Sequence, residues 1–154
     1  MLLQKNRLKR KRDFDITYKN GRFFRGTYIT IKVWKVDPEA FPKRGFSAED
    51  LKVGVVVGKK VYKSAVKRNR IKRQVREVFR LLAKERAMKN GFFVVCMVQP
   101  LPEDVTYDKI EKDVMRVLTK TNILSKSIHK KWIKNMSYVE EYSRSTALRS
   151  AFGD

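Results

Sequence analysis

Short runs of β-branched and aromatic residues alternate along this chain with segments whose apolar positions recur every three to four residues. Residues 11–20 read as a short helix that stops at Asn20-Gly21. Residues 22–36 (RFFRGTYITIKVWKV) partly alternate, which predicts a strand pair or a bent strand with Gly26 as its break or bulge. Residues 37–50 hold Pro38, Pro42 and Gly45 among mixed charges and predict a long loop. The run LKVGVVVG at 51–58 predicts a further strand. The longest helical pattern covers 64–88, from a Ser64 cap to a stop at Asn90-Gly91. Residues 92–99 are almost continuously apolar, as expected of a strand inside a covered sheet, and Pro100 and Pro102 close it. A last helix is predicted over 107–120, capped by Thr106, with Ile110, Val114, Val117 and Leu118 on one face. Helix, strands, helix, strand, helix is the order of a single α+β or α/β sandwich.

At 154 residues and 42% hydrophobic, the chain can bury a modest single core. The patterning predicts a folded domain over 1–124 and a C-terminal extension over 125–154. In the extension Ile128, Trp132, Met136 and Val139 keep helical spacing ahead of a weakly patterned, frayed end. No stretch approaches the roughly 20 apolar residues of a membrane span. The opening MLLQKNRLKRKRDF has no apolar run after its charges, which argues against a secretory signal. The single cysteine, Cys96, has no internal disulfide partner and fits a reducing cytoplasm; within FFVVCMV it reads as a small buried hydrophobe.

Charge changes the picture. A net +21 exceeds what solubility needs and predicts a polyanionic partner, either nucleic acid or an anionic membrane surface. Between residues 59 and 80 there are ten Lys or Arg and one acid, Glu77. On a helical wheel Ile71, Val75, Val78 and Leu82 share one face. Asn69, Arg73, Arg76 and Arg80 share the opposite face, and Lys67, Arg68, Arg70 and Lys72 fill the flanks. Like charges at this spacing destabilise an isolated helix, and solvated faces normally mix signs, so the stripe reads as a polyanion-binding surface. Arginine pairs with phosphate in two-point fashion and stacks on bases, and Asn69 at the helix start offers both donors and acceptors. The stripe does not by itself separate RNA from DNA.

A second basic cluster occupies the first 25 residues. Arg7, Lys9, Arg10 and Arg12 stand there among Phe14, Tyr18, Phe23 and Phe24. Cations interleaved with aromatics suit single-stranded RNA, with charge for the backbone and rings for the bases. Phe14 and Tyr18 are four apart on a helix and read equally well as core residues.

The string from Ala65 to Glu77 (AVKRNRIKRQVRE) resembles the RNR helix of the bacterial ribonuclease P protein family. Arg7-Leu8-Lys9, Asp13-Phe14 and Lys19-Asn20-Gly21 are similar to that family's opening. Val53-Gly54-Val55 with Gly58-Lys59-Lys60 is similar to the strand before its helix. The resemblance spans about residues 5–122. It implies an αβββαβα two-layer sandwich with a left-handed β-α-β crossover, of the ribosomal protein S5 domain 2-like type, which departs from the usual handedness. It implies that the RNR helix contacts a catalytic RNA, and that a cleft between the first helix and the sheet holds the single-stranded 5′ leader of precursor tRNA. Phe14 falls on a leader-cleft aromatic position, Tyr18 replaces a commoner Phe, and Lys59 and Lys60 belong to the same cleft. Lys32 stands near a position often aromatic in relatives. The Asp37–Asp50 loop is longer than in many relatives, and the tail after Leu124 has no counterpart.

The same resemblance implies endonucleolytic chemistry carried by the RNA with Mg²⁺ bound mainly there, and a protein that is monomeric without RNA. The residues agree in what they lack. The acids are scattered, the pairs Glu49-Asp50 and Glu103-Asp104 suit turns or helix starts, His129 is the only histidine, and there is no phosphate-cradling glycine loop and no zinc-ligand set. No catalytic or metal-binding residue is therefore expected on the protein. The competing readings are a general or ribosome-associated RNA-binding protein without a catalytic partner, a duplex-DNA reader and a protein-only nuclease. A DNA reader would prefer duplex, and a nuclease would cut without added RNA.

Overall fold

A computed structural model describes residues 3–84, 87–101, 105–121 and 123–124. The expectations for 125–154, for His129 and for Glu103-Asp104 fall outside the described residues. The elements are α1 (Lys11–Asn20), β1 (Arg22–Arg25), β2 (Ile29–Lys35), β3 (Leu51–Val57), α2 (Ala65–Lys84), β4 (Phe92–Val98) and α3 (Tyr107–Lys120). Short 3₁₀ turns lie at Gln4–Asn6 and Pro42–Arg44. The αβββαβα order is the expected one, in an α+β fold with one mixed four-stranded sheet.

The strands are ordered β1-β2-β4-β3. β1 and β2 are antiparallel, as are β2 and β4, while β3 runs parallel to β4 and joins it through α2. The apolar β4 thus lies inside the sheet, as its composition requires. β3 is an edge, and the N-terminal segment covers part of it: Arg7 bridges to Val53, and the Leu8 N–H donates to the Val53 carbonyl at 2.9 Å.

The pleat sorts the strand residues onto two faces. One face carries Ile29, Ile31, Val53, Val55, Val94 and Cys96, and both α2 and α3 pack on it. α2 contributes Ile71, Val75, Val78, Phe79 and Leu82, the face that the wheel selects. Each fully buried side chain of this size contributes about 1.5–3 kcal/mol. Cys96 is wholly buried, and burial pushes its thiol pKa far up, so it serves as a core hydrophobe. The other face carries Trp34, Phe93 and Val95 under α1 and the 37–50 loop. The two-layer description therefore fits the sheet with α2 and α3, and α1 adds partial cover on the far side.

One boundary differs from expectation. α2 is described over Ala65–Lys84 and does not reach 88, where Met88 bridges to Leu124, and Gly91 is not its stop. Gly91 instead opens β4 at φ 94°, where the backbone runs against the Ala48 carbonyl and leaves no room for a side chain. The caps hold: Ser64 Oγ accepts from the Lys67 N–H, and Thr106 Oγ1 accepts from the Lys109 N–H, both at 3.4 Å. Among the described residues no helix is long and apolar enough to cross a membrane.

One buried polar cluster is invisible to periodicity. The Asp113 carboxylate on α3 accepts the N–H groups of Thr27, Tyr28 and Ile29 at 2.8–3.1 Å and pairs with Arg116 at 2.8 Å. It fastens α3 to the β1–β2 turn, which explains why Gly26 stands there: a Cβ would strike the Asp113 carboxylate and Val117.

Candidate nucleic-acid interface

α2 presents its basic side away from the sheet. Lys67, Asn69, Arg70 and Arg73 are exposed, while Arg68, Lys72, Arg76 and Arg80 are partly covered. The eight residues are not equivalent. Arg68 Nη1 donates to the carbonyls of Tyr62 (2.9 Å) and Lys63 (2.7 Å), so it ties the approach segment to the helix start. Arg80 forms a two-point pair with Glu77, which holds the Glu77 carboxyl below its usual range and offsets one positive charge. Arg73 Nε reaches back to the Asn69 carbonyl at 3.4 Å. Arg76 has its pKa lowered by burial and by the nearby charge of Arg7. The basic N-terminus and the stripe of α2, which read as separate clusters in sequence, therefore meet at the β3 edge. Lys9, Arg10 and Arg12 are exposed beyond it.

The opposite face of the sheet has a different character. Across it, register aligns Phe23, Lys32, Val95 and Gly54 in one row. α1 crosses this row. Phe14 lies so close over Gly54 that any Cβ there would overlap its ring. Tyr18 follows one turn later, with its ring centroid 6.5 Å from that of Phe14. Both are half-buried, so each has one side in the core and one side open. Burial raises the Tyr18 phenol pKa, with a smaller contribution from Asp15.

Lys32 is used to fix Tyr18. Its Nζ donates to the Tyr18 carbonyl at 2.6 Å and lies 5.8 Å from the ring centroid. Beyond it Phe23, on the edge strand, is 56% exposed. In sequence Phe23 belongs to the basic N-terminal cluster with no individual role, and only the strand register brings it into line with Tyr18 and Lys32. The next row holds Arg25, Thr30, Met97 and Val56, and Val56 and Met97 are only half-buried. Lys59 and Lys60 follow in the turn after β3, exposed and past the end of that row. Phe14 and Tyr18 are thus brought together, whereas no contact joins the two lysines to them among the described residues.

The 37–50 loop covers the other end of this face. Phe41 and Phe46 pack edge-on against Trp34, and Phe46 also against Phe93, at centroid separations of 5.0–5.8 Å. Arg44 from the loop pairs with the buried Asp13 of α1. The 37–50 loop is therefore a buttress for α1. Asp50 accepts the Ser47 N–H and Asp37 accepts the Glu39 N–H, the turn roles that their surroundings suggested.

Among the described residues no three His, Cys, Asp or Glu side chains are grouped as a metal site.

A family model described as Ribonuclease P matches residues 2–122. The ribonuclease P protein component of Pseudanabaena sp. (strain PCC 6903) is 35% identical over 124 residues, which is 80% of this chain and 97% of that protein. That of Clostridioides difficile (strain 630) is 33% identical over 116 residues, covering 75% and 91%. In three dimensions the RNase P protein of Staphylococcus aureus superposes with a TM-score of 0.64 at 22% identity, covering 78% of this chain and 98% of that one. The RNase P protein of Thermotoga maritima gives 0.57 at 26%, covering 73% and 94%. The match to the family model runs through α1, the sheet and both later helices, and the relatives align over nearly their whole length, so the chain belongs to the ribonuclease P protein family.

Proposed function

We propose that this protein works as the subunit of a ribonuclease P holoenzyme that binds the catalytic RNA through α2 and the 5′ leader of precursor tRNA across the α1 face of the sheet. The observation that carries the reading is the division of labour between the two faces. α2 leaves Lys67, Asn69, Arg70 and Arg73 in solvent with no acid among them, which suits folded RNA whose phosphates crowd together. The α1 face offers half-buried rings (Phe14, Tyr18) and an exposed ring (Phe23), which suits an unpaired strand that stacks its bases, and the exposed Lys59 and Lys60 after β3 would meet its backbone.

In this reading the chemistry belongs to the RNA. Mg²⁺ would supply an activated water and a stabilised leaving oxygen there. Three of the described acids have other duties: Asp13 with Arg44, Asp113 with Arg116 and three N–H groups, Glu77 with Arg80. Among the described residues no acids gather into a metal site. The protein contributes position and screening: it holds precursor tRNA by the part that mature tRNA lacks and lowers the Mg²⁺ needed to bring two polyanions together. It acts in the cytoplasm and is monomeric until it meets RNA.

The test is reconstitution. The protein is added to a bacterial ribonuclease P RNA at low Mg²⁺ and precursor cleavage is followed. Stimulation is the expected result. Lack of stimulation would leave the general RNA-binding reading in its place, and cleavage without added RNA would replace both with a protein nuclease.

A further inference from the structure

The basic stripe of α2 borders a cavity that the stripe itself does not explain. It lies between the start of α2 and the start of α3 and has a volume of about 530 Å³. Lys67, Arg70 and Gln74 line it from α2 at helical spacing, Thr106 and Tyr107 line it from α3, and Tyr62 closes it from the turn before α2. Ile71 and Ile110 form its apolar floor. A volume of this size is within the usual range for a small-molecule site and larger than a mononucleotide needs.

The walls differ in chemistry. Lys67 and Arg70 are exposed cations, and Lys67 Nζ stands 5.8 Å from the Tyr62 ring centroid. Tyr62 and Tyr107 are half-buried, and both pack against the core. Near Tyr107 the carboxylates of Glu111 and Glu77 add to burial in raising its phenol pKa, so that rim disfavours a phosphate. Gln74 offers an amide that can match either donors or acceptors on a base edge. Arg68 holds the Tyr62–Lys63 backbone against the helix, so the Tyr62 wall is set before any ligand arrives.

We propose that this cavity seats one unpaired nucleotide of the partner RNA, with its base between the Tyr62 and Tyr107 walls, its edge on Gln74 and its phosphate on Lys67 and Arg70. The site continues the cationic face of α2 and turns a charge contact into a point of register. Phosphate contacts position a protein on RNA, and a pocketed base adds recognition that charge alone cannot supply. The inference rests on the proposed RNA-binding role of α2, and its variants are chosen to separate the two.

The experiment uses the full chain with a bacterial ribonuclease P RNA, measuring affinity against salt and the chemical reactivity of unpaired nucleotides. The wild-type protein should shield at least one unpaired nucleotide. Tyr107→Ala should restore its reactivity and lower affinity about tenfold, as expected for one lost base stack, with the salt slope unchanged because no charge is removed. Tyr107→Phe should behave as wild type. Gln74→Ala should restore reactivity at the base edge of the same nucleotide, and it serves as the independent variant should Tyr107→Ala fold poorly. If both Ala variants leave affinity and protection as they were, the nucleotide seat is overturned. If Arg70→Ala with Arg73→Ala also leaves assembly and its salt slope intact, the binding role of α2 falls with it.

Discussion

The two faces of the sheet both carry basic residues, but they use them in opposite ways. Over the α2–α3 face the helix buries an aliphatic stripe and leaves Lys67, Asn69, Arg70 and Arg73 in water, with only a long bond from Arg73 Nε to the Asn69 carbonyl and the Tyr62 ring beside Lys67. Over the α1 face the polar groups are drawn inward: Arg44 onto Asp13, Lys32 onto Tyr18, and Lys52 to within 5.9 Å of the Phe93 ring centroid. An uncommitted cation can take up a phosphate without breaking an existing bond. A committed one has already exchanged its hydration for a fixed place in the fold, and what it then offers is shape. Net charge alone would treat the two surfaces as one. Their hydrogen bonds distinguish a charge-reading face from a ring-presenting face.

The strongest way to break this comparison is to remove the joint on which both faces depend. Asp113→Ala strands Arg116 in the core and frees three N–H groups of the β1–β2 turn. A loss of about 3–5 kcal/mol is expected, read as a shift of the urea midpoint. Both binding activities should fall with the fold. A smaller change should silence one face only. Gly54→Ala places a Cβ inside the Phe14 ring and forces α1 to shift, costing about 1–3 kcal/mol. Binding of leader-bearing precursor should weaken while mature tRNA and assembly with the catalytic RNA change little. Equal losses for precursor and mature tRNA would mean that Phe14 serves the core alone.

Much of the fold was legible in sequence because it is local. α3 runs from Tyr107 to Lys120 with Thr106 at its cap, where spacing and cap chemistry put it. The wheel of α2 separated its buried residues from its basic ones. The missing parts are contacts between residues far apart in sequence. Asp113 lies more than 80 residues from the turn it fastens, and Arg44 lies 31 from Asp13. The row of Phe23, Lys32 and Gly54 exists only through strand register, so Phe23 had no individual role and Lys32 looked like a departure. The end of α2 was misplaced because Asn90-Gly91 is a stop signal in isolation, whereas Gly91 is required by the close passage of the Ala48 carbonyl. Within the stripe, residue type could not reveal which arginines were already occupied.

That occupancy separates neighbouring residues of one motif. Arg68→Ala removes a donor to two carbonyls and should lower thermal stability, by about 1 kcal/mol, with little change in the salt slope of RNA binding. Arg70→Ala should do the reverse, leaving the melting temperature unchanged and lowering the slope by about one. Should the two variants share a single profile, the distinction between committed and free cations would not hold on this helix.

The smallest change runs the comparison in the other direction. Glu77 is the only acid in the basic stretch from 59 to 80, and its carboxylate occupies Arg80 through both Nε and Nη2. Glu77→Gln should release that guanidinium without moving the helix, because the pair sits at the surface, where ion pairs add little stability. Affinity for the catalytic RNA should rise slightly and the salt slope should steepen by up to about one counterion. Acid should mimic the substitution only below the ordinary glutamate range, since the hydrogen bonds from Arg80 hold the Glu77 pKa down and the pair is lost only as pH falls through that lowered value. A binding curve for Glu77→Gln that overlays the wild type at every salt concentration would mean that Arg80 lies outside the RNA contact, and that the charge-reading face ends at Arg76.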